Sequence, residues 1–299
     1  MVGDVNPDVI VAGMPQRLGF GQAEQLVGAI ELVVGGSASI TACGAARLGC
    51  DVSLAGVVGD DALGAWLLDR LRESGVDVDP VRTATGVATG ASVVLDTGGD
   101  RAILTHLGAI ELLSPDDLEH LGELPARHVH VASYYLLAPA LRAALPAYLA
   151  RWRRAGATTS VDTNWDPEER WDVGPLLEQV DVVLPNEAEA GALADQWAGY
   201  PGELVVKRGA HGATWQQAGH PGLSAAAPPG VAFVDATGAG DSFNAGFLAA
   251  RLRGLDPALA LIWAVTAGTL STRGRGGTAR QPTRDEVADL VGPMNEEPT

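Results

Sequence analysis

Two carboxylates, Asp235 and Asp241, flank a run of almost bare backbone in VDATGAGDSFNAGF, residues 234 to 247. Beyond Gly240 the stretch DSFNAGFLAARLRG sets Phe243, Phe247, Leu248 and Leu252 on one helical face and stops at Gly254. Gly238, Ala239, Gly240 and Asp241 therefore form the entry to a helix N-terminus. There the first N–H groups lack intrahelical acceptors and the macrodipole is positive. With no bulky side chain in the way, a phosphate can approach those amides closely. Asp241 would repel such a phosphate, so it suits a different role, that of a general base taking the proton of a hydroxyl that attacks the cradled phosphoryl group. Asp235 is then free to orient the loop or help bind a cation. The bland alternative for Asp241 is a helix N-cap, where Asp is favoured.

Competing nucleotide motifs fail on spacing or context. A P-loop needs G-x-x-x-x-G-K-[ST], but Lys207 follows Val206 and precedes Arg208. A dinucleotide fingerprint starting at Gly238 needs glycine at position 243, where Phe243 stands. GRGGTA (274–279) has G-x-G-x-x-A spacing but follows a helical pattern rather than a strand. No zinc spacing, H-E-x-x-H or G-x-S-x-G occurs.

The elements that must hold this loop alternate along the chain. DVIVAG (8–13), HVHVAS (128–133), TTSVD (158–162), VDVVL (180–184) and ELVVK (203–207) read as strands. Helices are expected over 36–49, ending at Gly49; over 60–75, with Leu63, Leu67 and Leu71 on one face; and over 139–155, kinked at Pro146 and closed by Gly156. Such alternation implies a parallel sheet covered on both faces. Segments 14–34 and 86–108 break the pattern with β-formers and turn glycines, and LDTGGDRAIL reads as a hairpin about Gly98-Gly99. The two segments are expected to pair into a small sheet over the main one. Polar residues follow each later strand: Ser133, Asp162 and Asn164, then Asn186, Glu187 and Glu189, then Lys207 and Arg208. Ligands of open α/β sheets bind at those carboxyl ends, so one large cleft is expected there.

Composition narrows the partners. The 299 residues carry 37 acidic and 20 basic side chains, a net charge of −17. That balance excludes a basic footprint for nucleic acid or an anionic membrane, and makes any phosphate site local. Nineteen of the basic residues are arginine, and Lys207 is the sole lysine. Either codon bias or a demand for one compact ammonium accounts for this. The two cysteines, Cys43 and Cys50, have no CxxC spacing, and the N-terminus has no signal-peptide pattern, so a cytoplasmic setting is expected.

DATGAGDSFNAGF resembles the signature of the PfkB or ribokinase family of carbohydrate kinases. GDVNPDVIV and VVGGSASITACGAARLG are similar to its first signature region, LPNEAEA to its Asn-x-x-Glu motif, and VVKRGAHGA to its nucleotide-binding strand-turn. The resemblance runs over nearly the whole chain in the right order. It implies a three-layer α/β/α fold with a mostly parallel central sheet, built from 1–13, 35–85 and 109–299, and a β-lid from 14–34 and 86–108. It also implies ATP-dependent phosphorylation of a sugar-like alcohol. Asp241 would be the base and the amides of 238 to 241 the anion hole. Asn186 and Glu189 would hold the Mg²⁺ network, Glu189 through water. Residues 207–212, including Lys207, Gly209 and Gly212, would flank the nucleotide, with Gly276 and Gly277 near the adenine. Asn6, Asp8, Gly35 and Gly36 would grip the sugar.

The sequence departs from the pattern at Ile40, where many relatives have the Asn of G-G-x-x-x-N. One sugar hydrogen bond of the pattern is thus missing, which permits a less polar or differently hydroxylated substrate than ribose. VDTNWDPEERW (161–171) resembles the D-x-N stretch of fructokinase-like and 2-keto-3-deoxygluconate kinase-like members. Ribokinase-like members also bind a monovalent cation near the positions of Asp235 and Thr237, and potassium dependence is left open. Arg101 in the lid turn either reaches an acidic or phosphorylated substrate or is a solvated hairpin arginine. A nucleoside kinase of the same fold and a silent sugar or nucleotide sensor stand as rivals. The lid is also a place for a homodimer contact.

Overall fold

The computed structural model describes residues 1–15, 17–22, 24–98, 101–119, 121, 125–197 and 199–292. Its larger sheet begins where valines dominate. Strands His128–Val131, Thr158–Val161, Val182–Val183 and Glu203–Lys207 run parallel, with Val131 beside Val161 and Val161 beside Val183. Ala213–Gln216 and Leu223–Ala225 extend one edge in antiparallel fashion. At the other edge Val2 bridges both Val131 and Ala55.

Alternation sends successive side chains to opposite faces, and each face is buried by helices. Val182 and Val205 pack with Phe243, Phe247 and Trp263, which project from helices Ala239–Leu252 and Pro257–Ser271. Val131, Val161 and Val183 pack with Leu141, Leu145, Leu149 and Trp152 of helix Pro139–Arg154. That helix continues through Pro146. The result is the three-layer α/β/α arrangement. Helices Ser37–Arg47 and Ala62–Glu73 complete the first face, and each is followed by a left-handed glycine, Gly49 at φ 85° and Gly75 at φ 83°. Among the described residues no helix is long and apolar enough to cross a membrane.

The smaller sheet differs from expectation. Its order is Ala29–Gly35, Asn6–Ala12, Ala91–Asp96, Arg101–His106. The strands of the two lid segments do not pair with each other, although the Met14 N–H of one segment donates to the Asp96 carbonyl of the other at 3.2 Å. Both flank Asn6–Ala12, antiparallel on one side (Asn6 opposite Gly35) and parallel on the other (Asp8 opposite Ser92). The strand assigned from sequence to the larger domain is thus a middle strand of the lid. A short apolar run such as VIV fits a central strand of either sheet, so its pattern alone does not choose. The 91–106 hairpin forms as expected, with Asp96 opposite Arg101 and Gly98 at φ 82°; Gly99 lies outside the described residues. The described residues between 14 and 28 form no strand.

Candidate active site

The glycine loop meets Asp241 at the first turn of helix Ala239–Leu252. Its N-cap is Gly238, at φ 70° and ψ 7°, with no side-chain cap. A Cβ there would stand 2.5 Å from the Cα of Gly277, so backbone passes against backbone. The four-amide anion hole needs one correction. The Ala239 N–H donates to the Ala236 carbonyl at 3.1 Å, because the left-handed turn at Gly238 closes the Thr-Gly-Ala loop on itself. The amides of Gly238, Gly240 and Asp241 donate to no acceptor among the described residues. The nearest side chain to a Cβ on Gly240 would be Lys207, its Nζ at 3.6 Å.

Asp241 is not a helix cap. It lies inside the first turn, and its carboxylate accepts a hydrogen bond from the Ser37 hydroxyl. Loss of hydration pushes its carboxyl up to about 7; the Ser37 bond and Lys207 oppose that rise, while Asp162 and Asp4 reinforce it. A carboxyl titrating near neutrality suits a base that must gain a proton and release it.

Lys207 ends strand Glu203–Lys207 and pairs with buried Asp162, with Asn244 Oδ1 3.4 Å from its Nζ. Asn244 in turn donates to Asp162 at 2.6 Å. Burial works against the ammonium, but Asp162 and Glu189, with Asp241 after them, hold it above the ordinary lysine range. The structure therefore places Lys207 against the turn that holds Gly240. Gly209 (φ 53°) faces open space, and Gly212 (φ 81°) is required by the fold, since a Cβ would lie 1.9 Å from the Ala225 carbonyl oxygen.

Asn186 and Glu189 form the capping box of helix Glu187–Ala192. The Asn186 N–H and Nδ2 donate to the two Glu189 oxygens at 2.9 and 2.7 Å, and Asn186 Oδ1 accepts from the Glu189 N–H at 2.9 Å. Glu189 is buried, and desolvation followed by Asp162 pushes it up to about 7. Asn186 also bridges Lys207 in parallel fashion, which brings this pair beside the ammonium. No group of three or more His, Cys, Asp or Glu is placed to cage a metal among the described residues. Each carboxylate oxygen of Glu189 keeps a lone pair for water. That donor set fits Mg²⁺, which retains several waters and leans on substrate phosphates.

The expected sugar-side residues converge. Asn6 Nδ2 donates to Asp8 Oδ1 at 3.2 Å and reaches Ser92 Oγ at 3.4 Å. A Cβ on Gly35 would stand 2.0 Å from Asp8 Oδ1, and one on Gly36 2.8 Å from Asn6 Oδ1. Burial, with Asp4 nearby, pushes Asp8 up to about 7. Ile40 packs its Cδ1 2.4 Å from the point where a Gly277 Cβ would lie, so it seals the cradle from below.

Asp235 ties two loops together. One oxygen accepts from the Thr237 N–H and hydroxyl, both at 2.9 Å, and the other from the Gly276 N–H at 2.8 Å. The lid rests on the same loops: Arg101 Nη1 lies 3.5 Å from Thr237 Oγ1, and Arg275 pairs with Glu31 at 2.9 Å.

Comparison with known proteins shows the family. Residues 1–284 match the pfkB family carbohydrate kinases. The chain belongs to the pfkB family of carbohydrate kinases. This pfkB-family chain is 34% identical to the ATP-dependent ribose-1-phosphate kinase of Halopiger xanaduensis, over 97% of this chain and 96% of that one. It is 32% identical to the fructokinase of Klebsiella pneumoniae, over 85% and 90% of the two chains. It also superposes on a putative ribokinase II of E. coli in complex with ATP and Mg²⁺, with TM-score 0.83, 25% identity and 97% coverage of each chain. The pfkB-family chain is accordingly a phosphotransferase with an alcohol acceptor.

Four residues of this pfkB-family site escaped the sequence reading as site groups: Asp4, Ser37, Asn164 in its actual contact, and Asn244. Asp4 accepts from the Ser37 and Ala38 N–H groups at 3.0 and 2.9 Å and so seats the first helix. The signal for Ser37 was its place directly after Gly35-Gly36, and for Asn244 its place one turn beyond Asp241 in the helix.

Proposed function

We propose that the chain transfers the terminal phosphoryl group of ATP to a hydroxyl of a small sugar, with Asp241 as base. The observation that carries this reading is the position of Asp241: a carboxyl near neutrality beside the unengaged amides of Gly238, Gly240 and Asp241, with a buried ammonium behind them. Ser37, bonded to Asp241, follows Gly35 and Gly36, which lie against Asp8 and Asn6, and this continuity supports a base and a sugar-gripping carboxyl acting on one substrate. Asp8 would accept from sugar hydroxyls. Lys207, Gly209, Gly212, Gly276 and Gly277 would line the ATP side. Mg²⁺, when bound, offsets phosphate charge, with Asn186 and Glu189 holding it in part through water. Asp235 and Thr237 would offer oxygens to a potassium ion. The sheet holding Ala29–Gly35 and the 91–106 hairpin would act as a lid that excludes water from the transfer.

A second reading of the acceptor is favoured by Arg101. It stands over Thr237 from the lid, where it would meet a phosphate already carried by the sugar, the kind of acceptor for which the ribose-1-phosphate kinase relative is named. A coupled ADP-release assay with ribose, fructose, ribose 1-phosphate and adenosine separates these acceptors. ADP release with a free or phosphorylated sugar supports the reading. Release with adenosine alone would move it to a nucleoside kinase, and binding without release to a sensor.

One face of the lid exposes Ile30 (68%), Leu32 (41%) and Leu104 (61%), which suits pairing with a second copy. Free Cys43 and Cys50 suit a reducing, cytoplasmic compartment.

A further inference from the structure

We propose that Ser133, Asn164 and Ser37 form a one-way hydrogen-bond relay that delivers a proton donor to Asp241 and fixes the orientation and charge of the base. The inference rests on the reading of Asp241 as that base.

The direction of the relay follows from what each group is able to do. The Ser133 backbone N–H only donates, and it donates to Asn164 Oδ1 at 2.8 Å. That settles the Asn164 amide, whose Nδ2 then faces Ser37 Oγ at 3.3 Å. An amide NH₂ also only donates, so the Ser37 oxygen accepts. The single Ser37 proton is left for Asp241, to which the hydroxyl is bonded. Asp241 thus receives a donor in a direction that no rotation within the network reverses.

The backbone is arranged around this relay. Ser133 and Asn164 both adopt left-handed conformations, at φ 52° and 56°. Neither is glycine, and such residues gather where surrounding structure demands them. They follow neighbouring parallel strands, paired at Val131 and Val161, so the two strained positions stand side by side. Ser37 is seated from the other side by its N–H bond to buried Asp4. The charged groups facing Asp241 are Asp4 from the N-terminal segment, Asp162 after strand Thr158–Val161, and Lys207 from the next strand but one. Two of those three are carboxylates that disfavour an ionised base. The Ser37 hydroxyl is the neutral group that favours it. Ser37 and Asn164 are positioning residues in this scheme, acting through Asp241.

The test is the pH profile of kcat/KM for the sugar, by ADP release, for wild type and for Ser37→Ala, Ser37→Thr, Asn164→Asp and Asp241→Asn. Asn164→Asp keeps the shape but turns Nδ2 into an acceptor, which draws the Ser37 proton away from Asp241. The acidic limb is expected near 7 in wild type. In Ser37→Ala and Asn164→Asp it should move up by about one to two pH units, the range for losing a hydrogen bond to a charged group. KM for ATP should be unchanged, and Ser37→Thr should keep the wild-type limb. An unmoved limb in both variants, or a fall in kcat equal at every pH, overturns the relay. Should Ser37→Ala fail to fold, Ser37→Cys, a weaker donor of similar size that adds no charge, takes its place, since the new carboxylate of Asn164→Asp raises Asp241 by charge alone. An active Asp241→Asn would instead remove the base on which the relay depends.

Discussion

The ammonium of Lys207 lies directly beneath the helix turn that carries the base, its Nζ 3.6 Å from where a Cβ on Gly240 would stand. In a chain with 37 acidic residues and one lysine, that ammonium is shared among Asp162, Glu189 and Asp241. Its place accounts for the residue type. A compact ammonium fits under Gly240 and Asn244, whereas a guanidinium is larger and needs a planar fork of partners.

Lys207→Met should therefore lower kcat by about 10²-fold, the scale of losing one preorganised charge-stabilising group. Lys207→Arg should restore little of it, despite keeping the charge. Steady-state kinetics on both variants, with thermal melts to confirm folding, decide the matter. Recovery by arginine would make the site a simple demand for positive charge.

Gly240→Ala separates phosphate access from folding. The new Cβ meets nothing closer than Lys207 Nζ at 3.6 Å, an ordinary contact, and alanine is the better helix former by about 0.8 kcal/mol or more. The variant should melt no lower than wild type yet lose most of its kcat/KM for ATP, because a methyl group now covers the Gly240 amide. Full activity at unchanged stability would show that phosphate does not approach this turn.

The fold was legible because short valine-rich runs and helical patterns alternate, and the candidate site stood out because bare backbone between acids at a helix start has few chemical uses. What sequence missed depends on three-dimensional register. DVIV at 8–11 reads equally as a core strand or a lid strand, and only its pairing with Gly35 and Ser92 places it in the lid. Ala239 looked like a free amide until the left-handed turn at Gly238 directed it to Ala236. Ser37 and Asn164 are 127 positions apart, so no local pattern links them.

Asp8 gives a prediction about stability. Its carboxyl titrates at about 7 in the fold against 3.8 for the free side chain, chiefly through burial. Between those values the folded chain keeps a proton that the unfolded chain has released, so stability falls as pH rises toward and through 7. Asp8→Asn should raise Tm over wild type at pH 8 and leave it near wild type at pH 4. Melting curves across that range check the sign, and a variant that gained stability only at pH 4 would reverse it.

The most direct test is Asp241→Asn assayed for both turnover and ATP binding in one preparation. The substitution removes the proton acceptor while leaving the Gly238 and Gly240 amides in place. A fall in kcat of roughly 10²-fold or more, with ATP affinity close to wild type, is the predicted result. Turnover within a few-fold of wild type would contradict the assignment of Asp241 as the base.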